Sequence, residues 1–454
     1  MKFAGQRVLV AGLGVSGFAA ARCLLTLEAK VKVTESGASP ELAERADRLR
    51  SLGAEVELGG HDLSDLDADL AIVSPGIPLT SELFKVLSER GVPVWSEIEL
   101  AYRLAECEFL AVTGTNGKTT TTSLLASILE RGGVPSLAAG NIGLPLVEAI
   151  ASVPQGGAIA LEVSSFQLAT IDTFAPRVAV LLNVAEDHMD SHGSMAGYIA
   201  AKARITENQG PSDVLVFNAD DPICVEIAAR SSARKLPFSA ASLSVRGAGI
   251  KEGWIVVDER RVIEADALPL PGRAGIEDAM AAAAAGLVFG VELEAVRGAL
   301  SDFRPLGHRL ETVASVDGVS FIDDSKATNP HATLAAVKGL SDVVLIAGGR
   351  SKGIDLSPLA STVPPVIAVI AIGEARGEVV DVFSGLVDVQ VADNMREAVS
   401  LAMSRSIRAG SVLLSPGCAS LDMYESYVAR GEDFARCVRE LIDDGFRRGE
   451  SGDS

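Results

Sequence analysis

The stretch Phe109-Leu-Ala-Val112, Thr113-Gly-Thr-Asn-Gly-Lys-Thr-Thr120, Thr121-Thr-Ser-Leu-Leu-Ala-Ser-Ile-Leu-Glu-Arg131 decides the reading of the chain. Its opening residues are apolar and predict a strand, its middle a glycine loop, and 121–131 a helix. Such a loop turns backbone N–H groups onto phosphate oxygens. Lys118 then reaches the terminal phosphates, and the Thr119 hydroxyl is offered to Mg²⁺. The general pattern asks for a glycine five positions before Gly117, where this chain has Val112. The loop is therefore a variant, Gly114-Thr-Asn-Gly-Lys-Thr119, placed where a phosphate-binding loop belongs.

Outward from the loop, β-branched and apolar runs recur at 7–10, 30–33, 70–73, 109–112, 158–163, 178–183, 214–217, 343–347, 366–372 and 411–415. Amphipathic helical stretches follow many of them. This alternation predicts an α/β protein of doubly wound parallel sheets, with ligand groups just past the carboxyl ends of strands. Breaks near 104–108 and 303–309 divide it into three domains, each a mainly parallel sheet with flanking helices. They are a Rossmann-like domain at 1–106, a P-loop domain at 107–305 and a second Rossmann-like domain at 306–446. A polar tail at 447–454 is expected to be disordered.

The 454 residues exceed what one core organises. Sixty acidic against 40 basic side chains leave a formal charge of −20, which argues against a general nucleic-acid binder. The five cysteines lie far apart without a CxxC, so neither a disulfide framework nor a zinc knuckle is expected. No signal peptide opens the chain, and the apolar stretch 279–291 is too short for a membrane span. The composition predicts a soluble cytoplasmic protein with no nucleic-acid partner and no membrane insertion.

Two more features bear on chemistry. Gly12-Leu-Gly-Val-Ser-Gly17 follows the first strand and opens a helix at 18–27, the pattern of a nucleotide-binding turn. Glu35 ends the next strand, where an acid can grip a ribose or a base edge, and Ser74-Pro-Gly76 could close the same site. On these residues alone a dehydrogenase fits as well as any other nucleotide binder. Farther on, Glu162 ends a wholly apolar strand, where a carboxylate can hold Mg²⁺. Asn183-Val-Ala-Glu-Asp-His188 follows the next strand, and His188 is a candidate ligand or proton handler. His61, His192 and His331 read as surface or structural.

Taken together these residues resemble the Mur ligases, the ATP-dependent ligases of peptidoglycan synthesis. The resemblance runs over 5–440. Besides the loop it includes Gly140-Asn141-Ile-Gly143, Glu162-Val-Ser-Ser165, Asp187-His188, Tyr198-Ile-Ala-Ala-Lys202 and Asn218-Ala-Asp-Asp221. It continues with His308-Arg309-Leu-Glu311 and Asp324-Ser-Lys326-Ala-Thr-Asn329. Within the family, Leu414-Ser-Pro-Gly-Cys-Ala-Ser-Leu-Asp422, Tyr427 and Arg430-Gly-Glu-Asp-Phe434 look like the D-glutamate-adding member.

The resemblance implies that ATP phosphorylates the carboxylate of UDP-N-acetylmuramoyl-L-alanine and that D-glutamate attacks the acyl phosphate. It implies ATP contacts from Gly114, Thr115, Asn116, Gly117, Lys118, Thr119, Thr120, Asp278, Arg309, Asp324 and Lys326. Two Mg²⁺ ions are implied, with Thr119, Glu162, His188 and Lys202 as ligands. Lys202 matches a lysine that the family carries as a CO₂-derived carbamate. Val15, Ser16, Glu35, Ser36, Gly76, Asn141 and His188 would face the UDP sugar, and Thr328, Lys352, Ser420 and Tyr427 would hold D-glutamate. Lys118, His188, Lys202 and Lys326 are the implied catalytic set, in a monomer that closes its C-terminal domain during turnover.

Two positions depart from the family pattern. A Gly-x-His-Asn-x-x-Asn-Ala stretch reads here Gly272-Arg-Ala-Gly275-Ile-Glu-Asp278-Ala279, which puts the adenine contacts in doubt. Gly37 stands where some relatives carry a basic residue. A folylpolyglutamate-type ligase shares the loop and the lysine but lacks the glycine-turn domain. An ATP-binding regulatory subunit with weakened catalysis would suit the altered 274–278 stretch, but it would not need Lys118, Glu162, His188, Lys202 and Lys326.

Overall fold

The computed structural model describes residues 3–61, 67–187, 189–241, 247–270, 272–304, 307–316, 318–338, 340–407 and 410–450, without the side chains of 190 and 444–450. His188 and the expected boundary at 305/306 lie outside the described residues. Three sheets organise the rest.

The first contains β1 (Arg7–Ala11), β2 (Lys30–Glu35), β3 (Glu55–Leu58), β4 (Leu70–Val73) and β5 (Val94–Trp95). It is wholly parallel in the order β3-β2-β1-β4-β5. Its chain order reverses at β1, so a crevice opens beyond the carboxyl end of that strand.

The second sheet contains β6 (Glu108–Thr113), β7 (Ser136–Gly140), β8 (Ala158–Glu162), β9 (Val178–Leu181), β10 (Val214–Asn218), β11 (Arg234–Ser239), β12 (Ala248–Lys251), β13 (Trp254–Val257) and β14 (Arg260–Glu264). Its order is β14-β13-β12-β11-β10-β9-β6-β8-β7, parallel except for the last two pairings, β12 with β13 and β13 with β14. Every residue of β8, β9 and β10 is buried, because helices cover both faces of a parallel sheet and both sides of each strand must be apolar.

The third sheet contains β15 (Glu311–Val316), β16 (Val319–Asp323), β17 (Val343–Gly348), β18 (Val366–Ile372), β19 (Asp388–Val391) and β20 (Ser411–Leu414). Its order is β15-β16-β20-β17-β18-β19, with only β15 antiparallel. Apolar clusters fill both of its faces, one around Phe321, Ile346 and Phe434 and the other around Leu345, Val369 and Phe383. The first two sheets belong to one compact unit, and the third, with 185–190 and 270–275, to a second.

The apolar stretch 279–291 falls largely in the helix Gly272–Phe289, where Ala279 to Ala285 are buried. Small residues let this helix press on the helix Lys118–Arg131. A Cβ at Gly286 would lie 2.5 Å from Ile128 Cγ2. The first helix starts at Val15 rather than at 18, with Gly14 as its N-cap. The last helix, Tyr427–Glu450, runs into the stretch expected to be disordered, since no proline or glycine interrupts 432–444 and arginines extend it. No helix among the described residues is long and apolar enough to cross a membrane.

The helix Glu97–Leu104 ties the first sheet to the second. Glu99 is fully buried and accepts from Asp172 N (2.9 Å), Thr173 N (3.0 Å), Thr173 Oγ1 (2.7 Å), Phe174 N (2.9 Å) and Arg103 Nε (2.5 Å). Burial pushes this carboxyl up, but five donors outweigh it and hold it below the usual range.

Candidate active site

Strand register brings the second sheet's loops together. Val112 and Gly140 both pair with Glu162, and Thr113 pairs with Leu181. The phosphate loop, Asn141, Glu162 and Asn183 therefore share one carboxyl edge. Asn183 pins the loop: its Oδ1 accepts from Thr115 N (3.1 Å) and Asn116 N (2.8 Å), and its Nδ2 donates to Asn116 O (3.1 Å). Gly117 caps the following helix at φ +83, a conformation glycine takes without strain. Its hydrogen faces Asp278, whose Oδ1 would lie 2.2 Å from a Cβ there.

Lys118 Nζ donates to Gly114 O (2.9 Å) and Thr115 O (2.8 Å), so its charge lies over the loop. Thr119 is half-buried and Thr120 is buried in the first helical turn. Lys202, 1 % exposed, donates to Gly114 O at 2.6 Å and lies 4.6 Å above the Tyr198 ring. Tyr198 Oη in turn meets Thr115 Oγ1 at 3.1 Å. Two lysines thus converge on one loop carbonyl.

Glu162 is buried. Its Oε1 accepts from Asn141 Nδ2 at 2.7 Å, while its Oε2 has no hydrogen-bond partner among the described residues. A buried carboxylate oxygen left unpaired is costly, and a divalent cation would satisfy it. The residues present fit Mg²⁺ on that ground, with Glu162 and Thr119 as the groups that would hold it.

Asp278 is buried and accepts from Thr121 Oγ1 at 3.2 Å. It therefore places a carboxyl group beside the loop and the helix that carries Lys118.

At the first sheet, Glu35 Oε2 accepts from Leu13 N (2.7 Å) and Oε1 from Gly37 N (2.8 Å) and Ser36 Oγ (3.2 Å). Burial pushes this acid up, but the two amides and the hydroxyl outweigh it and hold it below the usual range. A Cβ on Gly17 would lie 1.9 Å from Gly12 O, so only glycine fits that helix–turn approach. Val15 and Gly76 are exposed, Ser16 is half-buried and Ser36 is exposed. Arg45, which sequence reasoning passed over, donates to Leu13 O at 3.1 Å and brings a cation to the turn where Gly37 supplies none.

In the second unit the ends of β16, β20 and β17 are neighbours. Asp324 accepts from Ser415 Oγ at 2.8 Å and Leu310 N at 3.3 Å. Burial pushes its carboxyl up to about 7 against the pull of Ser415 and the charge of Arg309. Lys326 Nζ lies 3.8 Å over the Tyr427 ring. Ser420 is buried, Thr328 is half-buried, and Lys352 takes a left-handed φ of +56 in the loop after β17. Asn329 Nδ2 donates to Asp187 Oδ2 at 3.3 Å.

Arg430 opens the Arg430–Phe434 segment of the last helix. It is 1 % exposed and donates to Ser325 Oγ (2.9 Å), Ser325 O (2.8 Å) and Cys418 O (3.1 Å). It thereby locks the Asp324–Lys326 loop to the segment that carries Ser420. An arginine on the inner side of an amphipathic helix was the available signal.

Three family models match in chain order: a Mur ligase MurD-like N-terminal domain over 6–96, a Mur ligase middle domain over 112–286, and a Mur ligase glutamate ligase domain over 308–418. Among curated proteins, the chain is 42% identical over 441 residues to a UDP-N-acetylmuramoylalanine--D-glutamate ligase of Shouchella clausii, covering 96% of this chain and 98% of that one. It is 43% identical over 449 residues to the protein of the same name from Frankia casuarinae, covering 97% and 95%. Among solved structures, a pseudomurein peptide ligase type C from Methanothermus fervidus superposes with TM-score 0.61 at 18% identity, covering 96% of this chain and 100% of that one. A UDP-N-acetylmuramate-alanine ligase from Thermotoga maritima gives 0.60 at 19%, with the same coverage. The structures share the fold, the curated relatives share the sequence from end to end, and the chain belongs to the Mur ligase family.

Proposed function

We propose that the protein is the ATP-dependent ligase that adds D-glutamate to UDP-N-acetylmuramoyl-L-alanine in peptidoglycan precursor synthesis. Relatives near 40% identity over almost the whole chain carry that name. The observation that carries the reading is the carboxyl edge of the second sheet. There a lysine-bearing phosphate loop lies beside Glu162, whose buried Oε2 has no hydrogen-bond partner among the described residues.

The chemistry follows from the charges. A carboxylate oxygen of the UDP sugar attacks the γ-phosphorus of ATP, the bond to the β-phosphate oxygen breaks, and ADP leaves. The amine of D-glutamate then attacks the acyl carbon; the C–N bond forms, phosphate departs with the C–O electron pair, and the amine gives up a proton. Both partners of the first step are anionic, so catalysis consists of neutralising charge and holding the line of attack. Lys118 and the first-turn amides of the helix Lys118–Arg131 take the phosphates, on a loop that Asn183 holds in place. Glu162 and Thr119 would hold Mg²⁺, which supplies charge withdrawal from the phosphate oxygens when bound.

We assign Asn141, Val15, Ser16, Glu35, Ser36 and Gly76 to the UDP sugar, and Thr328, Lys352, Ser420 and Tyr427 to D-glutamate. Arg309, Asp324 and Lys326 are assigned to the nucleotide, and His188 to a second Mg²⁺. Lys202 is assigned as a carbamate, a carboxylate on a long arm. Its nitrogen keeps one N–H after reaction with CO₂, enough to retain the bond to Gly114 O. The three-domain division, a cytoplasmic monomer and small-molecule partners belong to the same proposal.

The test is phosphate release by purified protein given ATP, Mg²⁺, UDP-N-acetylmuramoyl-L-alanine and D-glutamate. Release that requires D-glutamate and is not supported by L-glutamate is expected. Release indifferent to D-glutamate would sink the reading.

A further inference from the structure

Two acids on the helix Glu97–Leu104 lie two residues apart and meet opposite environments. Glu99 has five donors. Glu97 is 2 % exposed, and its Oε1 accepts from Val147 N at 2.6 Å, with the amide of Leu146 also facing the carboxyl. Its Oε2 is buried with no hydrogen-bond partner among the described residues. Burial pushes the carboxyl up to about 7 against those two amides, and Glu148 adds to the rise. A half-satisfied buried acid costs stability, so its value must lie in what it holds.

Glu97 holds the back of the site. Leu146 and Val147 open the short helix Leu146–Ala149, which follows the loop begun at Gly140. Gly140 N donates to Leu144 O at 3.0 Å and closes that loop. The loop is fastened to Glu162 twice, by Asn141 N to Glu162 O at 2.9 Å and by Asn141 Nδ2 to Glu162 Oε1 at 2.7 Å. From its other side the short helix is tied by the Glu148–Arg22 pair, at 2.8 Å, to the helix Val15–Thr26 behind the first glycine turn.

We propose that Glu97 is a positioning residue for the ligase reaction: by accepting the first amides of Leu146–Ala149 it sets the loop that aims Asn141 and, through it, Glu162. This rests on the functional reading above. What the short helix needs is an acceptor oxygen, not a charge, so glutamine is the conservative replacement and alanine the disruptive one.

The experiment compares wild type with Glu97→Ala and Glu97→Gln in two readouts. In amide hydrogen exchange, which needs no substrate, Glu97→Ala is expected to speed exchange at 141–147 about tenfold or more while Glu97→Gln stays close to wild type. In turnover, Glu97→Ala is expected to raise the Mg²⁺ half-saturation and the KM for the UDP sugar about tenfold, the range for a lost partner of a ligating carboxylate. Nucleotide affinity measured without Mg²⁺ should move less than about twofold, since the loop's own hydrogen bonds are untouched. Should Glu97→Ala fail to fold, Glu97→Asp, whose carboxyl is drawn back by one methylene, carries the same expectations. Unchanged exchange in the disruptive variant, or a glutamine variant no better than it, overturns the proposal. A wild type without D-glutamate-dependent turnover overturns the functional reading instead and leaves the exchange test standing.

Discussion

The chain uses the strand–glycine loop–helix device twice, after β1 and after β6, and furnishes the two copies differently. In the second, two lysines, Lys118 and Lys202, donate to Gly114 O. In the first, a carboxylate, Glu35, accepts the Leu13 amide. A loop that bears a lysine and opens at once into the first-turn amides of the helix Lys118–Arg131 suits a highly charged phosphate chain. A loop whose amide already serves an acid is suited to a sugar or base edge, which can donate to that acid, and is poorly suited to bare phosphate. The device sets where a ligand lies, and the added side chain sets which part of it.

Lys118→Ala should break the second copy. It removes the charge that offsets the transferring phosphate, and kcat/KM for the ligase reaction should fall about 10³-fold or more. UDP-sugar affinity, measured by calorimetry without ATP, should stay within about twofold of wild type, since Lys118 belongs to the second loop and the UDP sugar is assigned mainly to the first. Equal losses of both ligands would erase the distinction between the loops. Lys202→Ala should cost about 10²-fold, the size of a typical loss of a charged group from a catalytic site. Added short carboxylates should restore part of it if Lys202 acts as a carbamate. Loss without rescue in a folded variant would leave Lys202 as a cation under Gly114.

How much of this could be read in advance depends on where each residue finds its partners. The central strands were legible because burial on both faces writes them as unbroken apolar runs, as in Ala158–Glu162. Edge strands were not: Glu55–Leu58 and Asp388–Val391 are partly exposed and carry charges in the run. The meander of β12, β13 and β14 was passed over because its strands are short and broken by Gly253 and charged turns. Even the interior strand Val319–Asp323, next to the edge, was missed, because Ser320 and Asp323 interrupt its apolar pattern. At the site, Lys118 and Glu162 were legible because motif and strand end are local signals. The pinning by Asn183, the lock by Arg430 and the placement of Glu97 depend on partners far away in sequence.

Asp278→Asn sharpens the comparison on the phosphate side. An ionised carboxyl beside Gly117 and Thr121 would oppose the charge of a bound triphosphate, which the equivalent amide would not. The substitution keeps an oxygen to accept from Thr121, so the fold should hold. The KM for ATP should fall about three- to tenfold, as for removing one like charge at partly screened distance, with the KM for the UDP sugar unchanged. A rise in the KM for ATP would mean that the carboxylate is used by the nucleotide and is not a burden to it.

The smallest effect belongs to the other loop. Because the folded protein holds Glu35 below the ordinary carboxylate value of 4.5, its ionised form stabilises the fold. That contribution is present above pH 4.5 and is lost as pH falls through the depressed value in the folded state, where the unfolded chain already holds the proton. Glu35→Gln cannot take part in this linkage. Its amide oxygen accepts one backbone N–H where the carboxylate accepts two, so the variant should melt slightly below wild type at pH 7. As the pH is lowered below 4.5 the two melting temperatures should converge, because wild type loses what the variant never had. Parallel melting curves for Glu35→Gln and wild type from pH 7 to pH 3 would mean that the acid is not engaged by the Leu13 and Gly37 amides in solution. The first loop would then be as open to phosphate as the second.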